Sequence, residues 1–229
     1  MKALILAAGK GSRLSTIIKD VPKPMLLFNG KPILEHNINL CKRYGVIDFF
    51  INTSHLADVI TNYFETGRKL GVNICYSFES ELLGTSGALN NFKEQLSSDD
   101  FLVIYGDNFT NINIQELIKK HQQNEAMATI AFHYREDVCQ SGVAELANDG
   151  RITTFIEKPA PNQTNSHWVN AGIYVINKDI FKFIPQGFSD FGKDIFPLLL
   201  KNNIPMYGVC FSNEVLAFDT PEMYYKNKK

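Results

Sequence analysis

The chain holds 229 residues, 45% of them apolar and 21% charged, which suits a globular protein with a sizeable core and excludes a disordered or fibrous one. Its 23 Lys and Arg against 24 Asp and Glu leave a net charge of −1. Nothing therefore draws the whole chain to nucleic acid or to an anionic membrane, and any phosphate must be met by a few placed cations.

Along the chain, Ala3–Ala7 is an unbroken apolar run, as for a strand buried on both faces. Lys10 and Arg13 follow it without a cleavage-like stretch, and no apolar segment reaches membrane-spanning length. Between Pro32 and Tyr44, the residues Ile33, Leu34, Ile38, Leu40 and Cys41 form a helical stripe, with Gly45 as the stop. Phe49–Asn52 reads as a strand. Ser54 is placed to cap a helix carrying Leu56, Val59, Ile60, Tyr63 and Phe64. Val72–Tyr76 is a further strand, Ala88–Leu96 a helix, and Phe101–Tyr105 a buried strand ending at Gly106-Asp107. This β-α-β-α-β rhythm predicts a parallel sheet with helices on both faces.

Beyond residue 126 the texture turns to short β-type runs at Ala126–His133, Gly142–Leu146, Ile152–Ile156 and Val169–Ile176. Helical pieces follow at Lys178–Ile184 and Phe191–Lys201, then a strand at Met206–Cys210. Pro159–Ser166 is the one linker-like stretch and is too short to separate domains. The expectation is one α/β domain, a doubly wound, mixed but mostly parallel sheet, with residues 1–125 and 126–229 as its halves. The four cysteines, Cys41, Cys75, Cys139 and Cys210, show no Cys-x-x-Cys spacing and are expected to be buried free thiols in a reducing cytoplasm.

Several short motifs carry chemistry. Leu6, Ala8, Gly9 and Gly11 lead to Arg13 straight after the first strand; glycines there let backbone N–H groups approach an anion, and Arg13 adds a planar phosphate-binding fork. An ordinary strand-to-helix turn reads the same way when taken alone. Pro22-Lys23-Pro24 holds a lysine between prolines, predicting an extended backbone that aims the ammonium; a solvated loop lysine is the alternative. The segment from Glu79 through Gly84-Thr85-Ser86-Gly87 joins a strand to a helix and offers a backbone edge for a flat base. Asp107 closes a strand at its carboxyl end, where open α/β sheets bind ligands and where a carboxylate suits Mg²⁺. Glu157-Lys158-Pro159 and Asn170-Ala171-Gly172 lie at strand edges in the second half.

Together these pieces, with a late Thr220-Pro221-Glu222, span nearly the whole chain in the order of the sugar-1-phosphate nucleotidyltransferases, which the sequence resembles. The stretches Ile17–Met25 and Asp190–Pro197 are most similar to the mannose- and heptose-1-phosphate guanylyltransferase branch. The resemblance implies a nucleoside triphosphate on the glycine loop and transfer of its nucleotidyl group to a sugar 1-phosphate, with pyrophosphate leaving and no enzyme nucleophile. It assigns Arg13, Lys23 and Asp107 to catalysis, and Leu6, Ala8, Gly9, Gly11, Arg13, Lys23, Glu79, Gly84 and Thr85 to the nucleotide. Lys158 would hold the sugar phosphate, and Gly142, Glu157, Asn170 and Gly172 would meet the sugar. Mg²⁺ would sit on Asp107 and on Asp219.

Asp219 departs from the family pattern. Relatives end the site with Asp-Ile-Gly-Thr-Pro, and aligned on Thr220-Pro221 that Asp falls on Ala217. Asp219 then either ligates metal from a displaced position or caps the helix starting near Pro221. Glu79 stands five residues before Gly84, where relatives read the base. As a carboxylate it only accepts hydrogen bonds, which favours guanine, with two adjacent donors, over uracil or thymine. A uridylyl-, thymidylyl-, cytidylyl- or molybdopterin-guanylyltransferase and a non-catalytic nucleotide-sugar sensor remain the alternatives. No appended β-helix of the kind some relatives carry is expected, and homo-oligomerisation stays open.

Overall fold

The computed structural model describes residues 1–9, 11, 14, 20–212 and 215–227. In chain order its elements are β1 (Lys2–Leu6), β2 (Leu27–Phe28), β3 (Lys31–Pro32), α1 (Ile33–Arg43), β4 (Asp48–Thr53), α2 (Ala57–Phe64) and β5 (Asn73–Phe78). They continue with α3 (Gly84–Gly87), α4 (Lys93–Leu96), β6 (Phe101–Tyr105), β7 (Asn108–Phe109), α5 (Ile114–Gln123), β8 (Ala128–Tyr134) and β9 (Gly142–Leu146). The rest are β10 (Ile152–Glu157), β11 (Trp168–Ile176), α6 (Phe196–Lys201), β12 (Met206–Phe211), β13 (Leu216–Ala217) and α7 (Pro221–Asn227).

Two compact units share the chain: residues 1–82, 103–111 and 215–229 form one, and residues 83–102 and 112–214 the other. In the first unit the strand order is β6-β1-β4-β5. The ladders β1–β4 and β4–β5 are parallel, with Ala3 opposite Phe49 and Phe49 opposite Ile74. Burial follows position in this order. Ala3, Leu4 and Ile5 of β1 are wholly buried, whereas β5, at the end of the order, alternates towards solvent. Helix α1 seats Ile33, Leu34, Ile38, Leu40 and Cys41 in the core, the stripe expected from the sequence, and each such side chain contributes about 1.5–3 kcal/mol by leaving water.

In the second unit β10 pairs with β9 and β9 with β11, both antiparallel; β8 is antiparallel to β11 and parallel to β12. The register of β11 on β8 shifts between Asn170 and Tyr174. No helix among the described residues is long and apolar enough to cross a membrane.

Four local expectations are corrected. Ser54 does not cap α2: the helix starts after Leu56, a left-handed residue with no side-chain cap, and the Ser54 hydroxyl donates to the Glu79 carbonyl at 2.8 Å. Lys23 is not extended. Lys23–Met25 is a 3₁₀ turn whose bonds, Met25 N–H to Pro22 O and Leu26 N–H to Lys23 O, need no N–H from Pro24. Of the cysteines only Cys41 is buried; Cys75 and Cys210 are exposed on β5 and β12, although all four are free thiols. Helix α5 falls where no element was expected, capped by Asn113, whose side chain accepts from the Gln115 N–H.

Candidate functional site

In the first unit, β1 runs into the glycine turn, which the ladder holds from both sides. The Leu6 carbonyl accepts from the Gly106 N–H at 2.9 Å, and the Ala7 N–H donates to the Asn52 side chain at 2.8 Å. Gly11 has φ of +60°, and a Cβ there would lie 3.5 Å from the Cβ of Lys23. The turn and the lysine are neighbours. Gly9 is exposed, with open space where a side chain would be, so its backbone is accessible to a ligand. Arg13 lies outside the described residues, as do Lys10, Ser12 and residues 15–19.

Lys23 is buried and grips two carboxylates at once, Asp107 at 2.5 Å and Asp219. Burial pulls its pKa down, but the charges of Asp107 and Asp219 and their hydrogen bonds outweigh that, so the ammonium titrates above its ordinary value. The solvated-lysine reading is thereby excluded. Both aspartates are placed by an antiparallel pair too short to show a pattern. In β7–β13 Ala217 faces Asn108 and Leu216 faces Phe109, so Asp107, just before β7, and Asp219, just after β13, come to the same end. Beneath them Phe218, Phe28, Leu14, Leu26 and Ile33 form a buried cluster, with Phe109 packed 4.5 Å from Phe28 between ring centres. The Thr220 hydroxyl accepts from the Met223 N–H at 3.3 Å, so Thr220 supplies the side-chain acceptor at the start of α7.

Glu79 is also buried here. Its Oε1 accepts from the Asn52 amide at 2.8 Å, and its N–H donates to the Thr53 carbonyl. Asn52 thus ties the glycine turn to Glu79. It was not among the expected site residues, and its only sequence signal was a polar residue closing an apolar strand.

The second unit holds the other expected residues. Thr85 donates through both its N–H (3.1 Å) and its hydroxyl (3.0 Å) to Asp190. Glu157 ends β10, and Gly142 and Gly192 make room for its carboxylate: a Cβ on Gly142 would stand 2.8 Å from Oε2, and one on Gly192 closer still. Burial pushes the Glu157 pKa up, against Lys158 and Lys193 and with Asp190. Lys158 is exposed and holds a left-handed backbone, φ +53°, its N–H donating to the Ser141 carbonyl at 3.0 Å. Such strain in a non-glycine residue concentrates at ligand sites. Asn170 shapes the break in β11: its side chain accepts from the Gly172 N–H at 2.9 Å and donates to the Tyr174 hydroxyl at 2.7 Å, with Gly172 at φ +73°.

The chain is similar to known proteins along nearly its whole length. Residues 2–216 match the family model described as nucleotidyl transferase. A UTP–glucose-1-phosphate uridylyltransferase of Synechocystis is 37% identical over 91% of this chain, which spans 58% of that relative's length. A D-glycero-alpha-D-manno-heptose 1-phosphate guanylyltransferase of Campylobacter jejuni is 32% identical over 98% of this chain and 97% of its own. The crystal structure of HddC from Yersinia pseudotuberculosis complexed with GMP-PN is 26% identical, with a TM-score of 0.81 over 99% of this chain and 97% of its own.

Proposed function

The chain belongs to the nucleotidyl transferase family, and from that premise we propose that it moves a nucleotidyl group from a nucleoside triphosphate, GTP by preference, to a sugar 1-phosphate. The observation that carries this reading is the buried Lys23 beside the glycine turn, held between Asp107 and Asp219. Such a site sets one ammonium beside the glycine turn and two carboxylates that would hold a divalent cation, without offering a nucleophile. An oxygen of the sugar phosphate attacks the α-phosphorus, the bond to the bridging oxygen of the β-phosphate breaks, and pyrophosphate carries that electron pair away. The glycine turn offers backbone N–H groups to the phosphates, and the raised pKa of Lys23 keeps its ammonium charged while negative charge develops. Arg13 adds its fork to the triphosphate, Lys158 takes the sugar phosphate, and Glu157, Gly142, Asn170 and Gly172 meet the sugar.

Asp107 and Asp219 fit a hard divalent cation, because their carboxylates already converge on one cationic group. They would hold Mg²⁺, which when bound neutralises phosphate charge beside the reacting phosphorus. Glu79 supports guanine as a buried acceptor aimed by Asn52, as does the likeness to a guanylyltransferase over almost the full length of both chains. The uridylyltransferase relative at 37% identity makes UTP the second reading. A reaction that draws on nucleoside triphosphates suits a protein of the cytoplasm.

The test is a grid of nucleoside triphosphates against sugar 1-phosphates with Mg²⁺, read as pyrophosphate release. Release that requires both substrates is expected. Nucleotide-sugar binding without release from any pair would instead mean a sensor.

A further inference from the structure

The segment that follows Gly187 does more than connect two elements. Ser189 is buried, and its carbonyl accepts from the N–H groups of Ser86 (3.0 Å) and Gly87 (3.1 Å). Its own N–H donates to the Leu83 carbonyl at 2.9 Å, and its hydroxyl meets that of Ser86 at 2.7 Å. A Cβ on Gly84 would collide with the Ser189 carbonyl, so this loop lies in backbone contact with the segment. Asp190 then takes the Thr85 N–H and hydroxyl, while the Thr85 oxygen accepts from the Phe191 N–H at 2.9 Å. Three consecutive N–H groups of the loop, those of Thr85, Ser86 and Gly87, end on two residues more than a hundred positions away.

Asp190 stands at the cap of the π-helical turn Phe191–Ile195, yet its side chain makes no capping bond to that turn. Asp194 reaches back to the Asp190 N–H at 2.7 Å, which settles the local backbone and leaves the Asp190 carboxylate to Thr85. The same turn is fixed from behind by the ring contacts of Phe191 with Tyr174 and Phe196, each at 5.3 Å between centres. Its Gly192 abuts the Glu157 carboxylate. A local cap would not explain the two bonds from Thr85 to the Asp190 carboxylate, whereas a clamp on the loop does.

We propose that Asp190 is a positioning residue for base selection: acting through Thr85, it fixes where the Leu83–Gly84 edge stands and so how sharply the protein tells one nucleobase from another. This rests on the reading of that loop as the base-contacting edge of a nucleotidyltransferase. Losing the clamp lets the edge shift, which weakens binding of the favoured base more than that of the others and touches the chemical step least.

The test uses the full chain and its Asp190→Ala, Thr85→Val, double and Asp190→Asn variants, with kcat and KM measured for four nucleoside triphosphates and with melting temperatures recorded. Asp190→Ala is expected to raise KM for the preferred triphosphate roughly tenfold, the size of a lost charged hydrogen bond, with kcat nearly unchanged and base discrimination reduced. Thr85→Val, at a residue itself assigned to the nucleotide, is expected to lose at least as much in kcat/KM. The double variant is expected to lose no more than Thr85→Val alone, because Asp190 acts through Thr85. Asp190→Asn, which keeps the acceptor oxygen, is expected to recover discrimination. An equal fall in kcat/KM for all four triphosphates, or an effect confined to the sugar 1-phosphate, overturns the proposal while leaving the transferase reading intact. If Asp190→Ala does not fold, Asp190→Ser, which shortens the side chain and removes its charge, decides in its place. Absence of turnover by the unaltered protein with any triphosphate overturns both.

Discussion

Replacing Asp219 by Asn or Ser separates chemistry from architecture. Either side chain keeps a hydrogen-bonding oxygen but removes one of the two negative charges on Lys23. Helix α7 should not suffer, because Thr220 already accepts from the Met223 N–H. Lys23 is buried, so the loss is poorly compensated by water; a hydrogen bond between charged groups contributes about 1.5–3 kcal/mol, which corresponds to roughly a tenfold to hundredfold fall in kcat/KM. The two carboxylates are about one-third exposed, 32% for Asp107 and 30% for Asp219, which places the expectation towards the lower end. The assay is pyrophosphate release at limiting and at saturating Mg²⁺, with a melting curve beside it. The deficit should be largest at limiting Mg²⁺, and the melting temperature should fall modestly, because the lost Lys23 bond also holds the fold. Full activity of both variants at limiting Mg²⁺ would refute the argument and leave Asp219 a partner of Lys23 only.

Three further outcomes are expected. Lys158→Ala should raise KM for the sugar 1-phosphate by more than about tenfold, and Arg13→Ala should do so for the triphosphate; initial rates with each substrate varied decide, and an unchanged sugar-phosphate KM in Lys158→Ala would remove Lys158 from the site. GTP should exceed UTP and dTTP in kcat/KM because Glu79 offers acceptors only, and a roughly tenfold preference for either pyrimidine would overturn this. Burial, with the Arg135 charge, pushes the His133 pKa down to about 4 from 6.5, so the unfolded chain binds the proton that the fold refuses. Stability should therefore be full above about pH 6.5 and fall by about 2 kcal/mol by pH 5, while His133→Gln flattens this slope in denaturant titrations; an identical slope in the variant would assign it elsewhere.

Elements that carry their own pattern were legible from the residues. The uniform apolar runs of β1 and β6 predict strands buried on both faces, and the stripe from Ile33 to Cys41 predicts α1; both hold. Lys23 and Asp107 were legible as candidate site residues because Pro and Gly punctuate them, and the structure brings the two together. What joins distant segments was not legible. The two-residue strands β7 and β13 are too short for any period, yet they set Asp107 against Asp219. Ser54 has the composition of a cap and spends its hydroxyl on Glu79 instead, because the left-handed Leu56 starts α2 later. Asn52 and Asp190 act through partners 45 and 105 positions away, and no local rule reaches that far.

The most direct test of nucleotidyl transfer follows the oxygen. The protein is incubated with GTP, Mg²⁺ and a sugar 1-phosphate bearing heavy oxygen on its phosphate, and the products are weighed by mass spectrometry. Attack by the sugar phosphate on the α-phosphorus predicts a labelled nucleotide-sugar and unlabelled pyrophosphate in equal amounts. Label in the pyrophosphate, or no pyrophosphate with any triphosphate and sugar 1-phosphate, would contradict it.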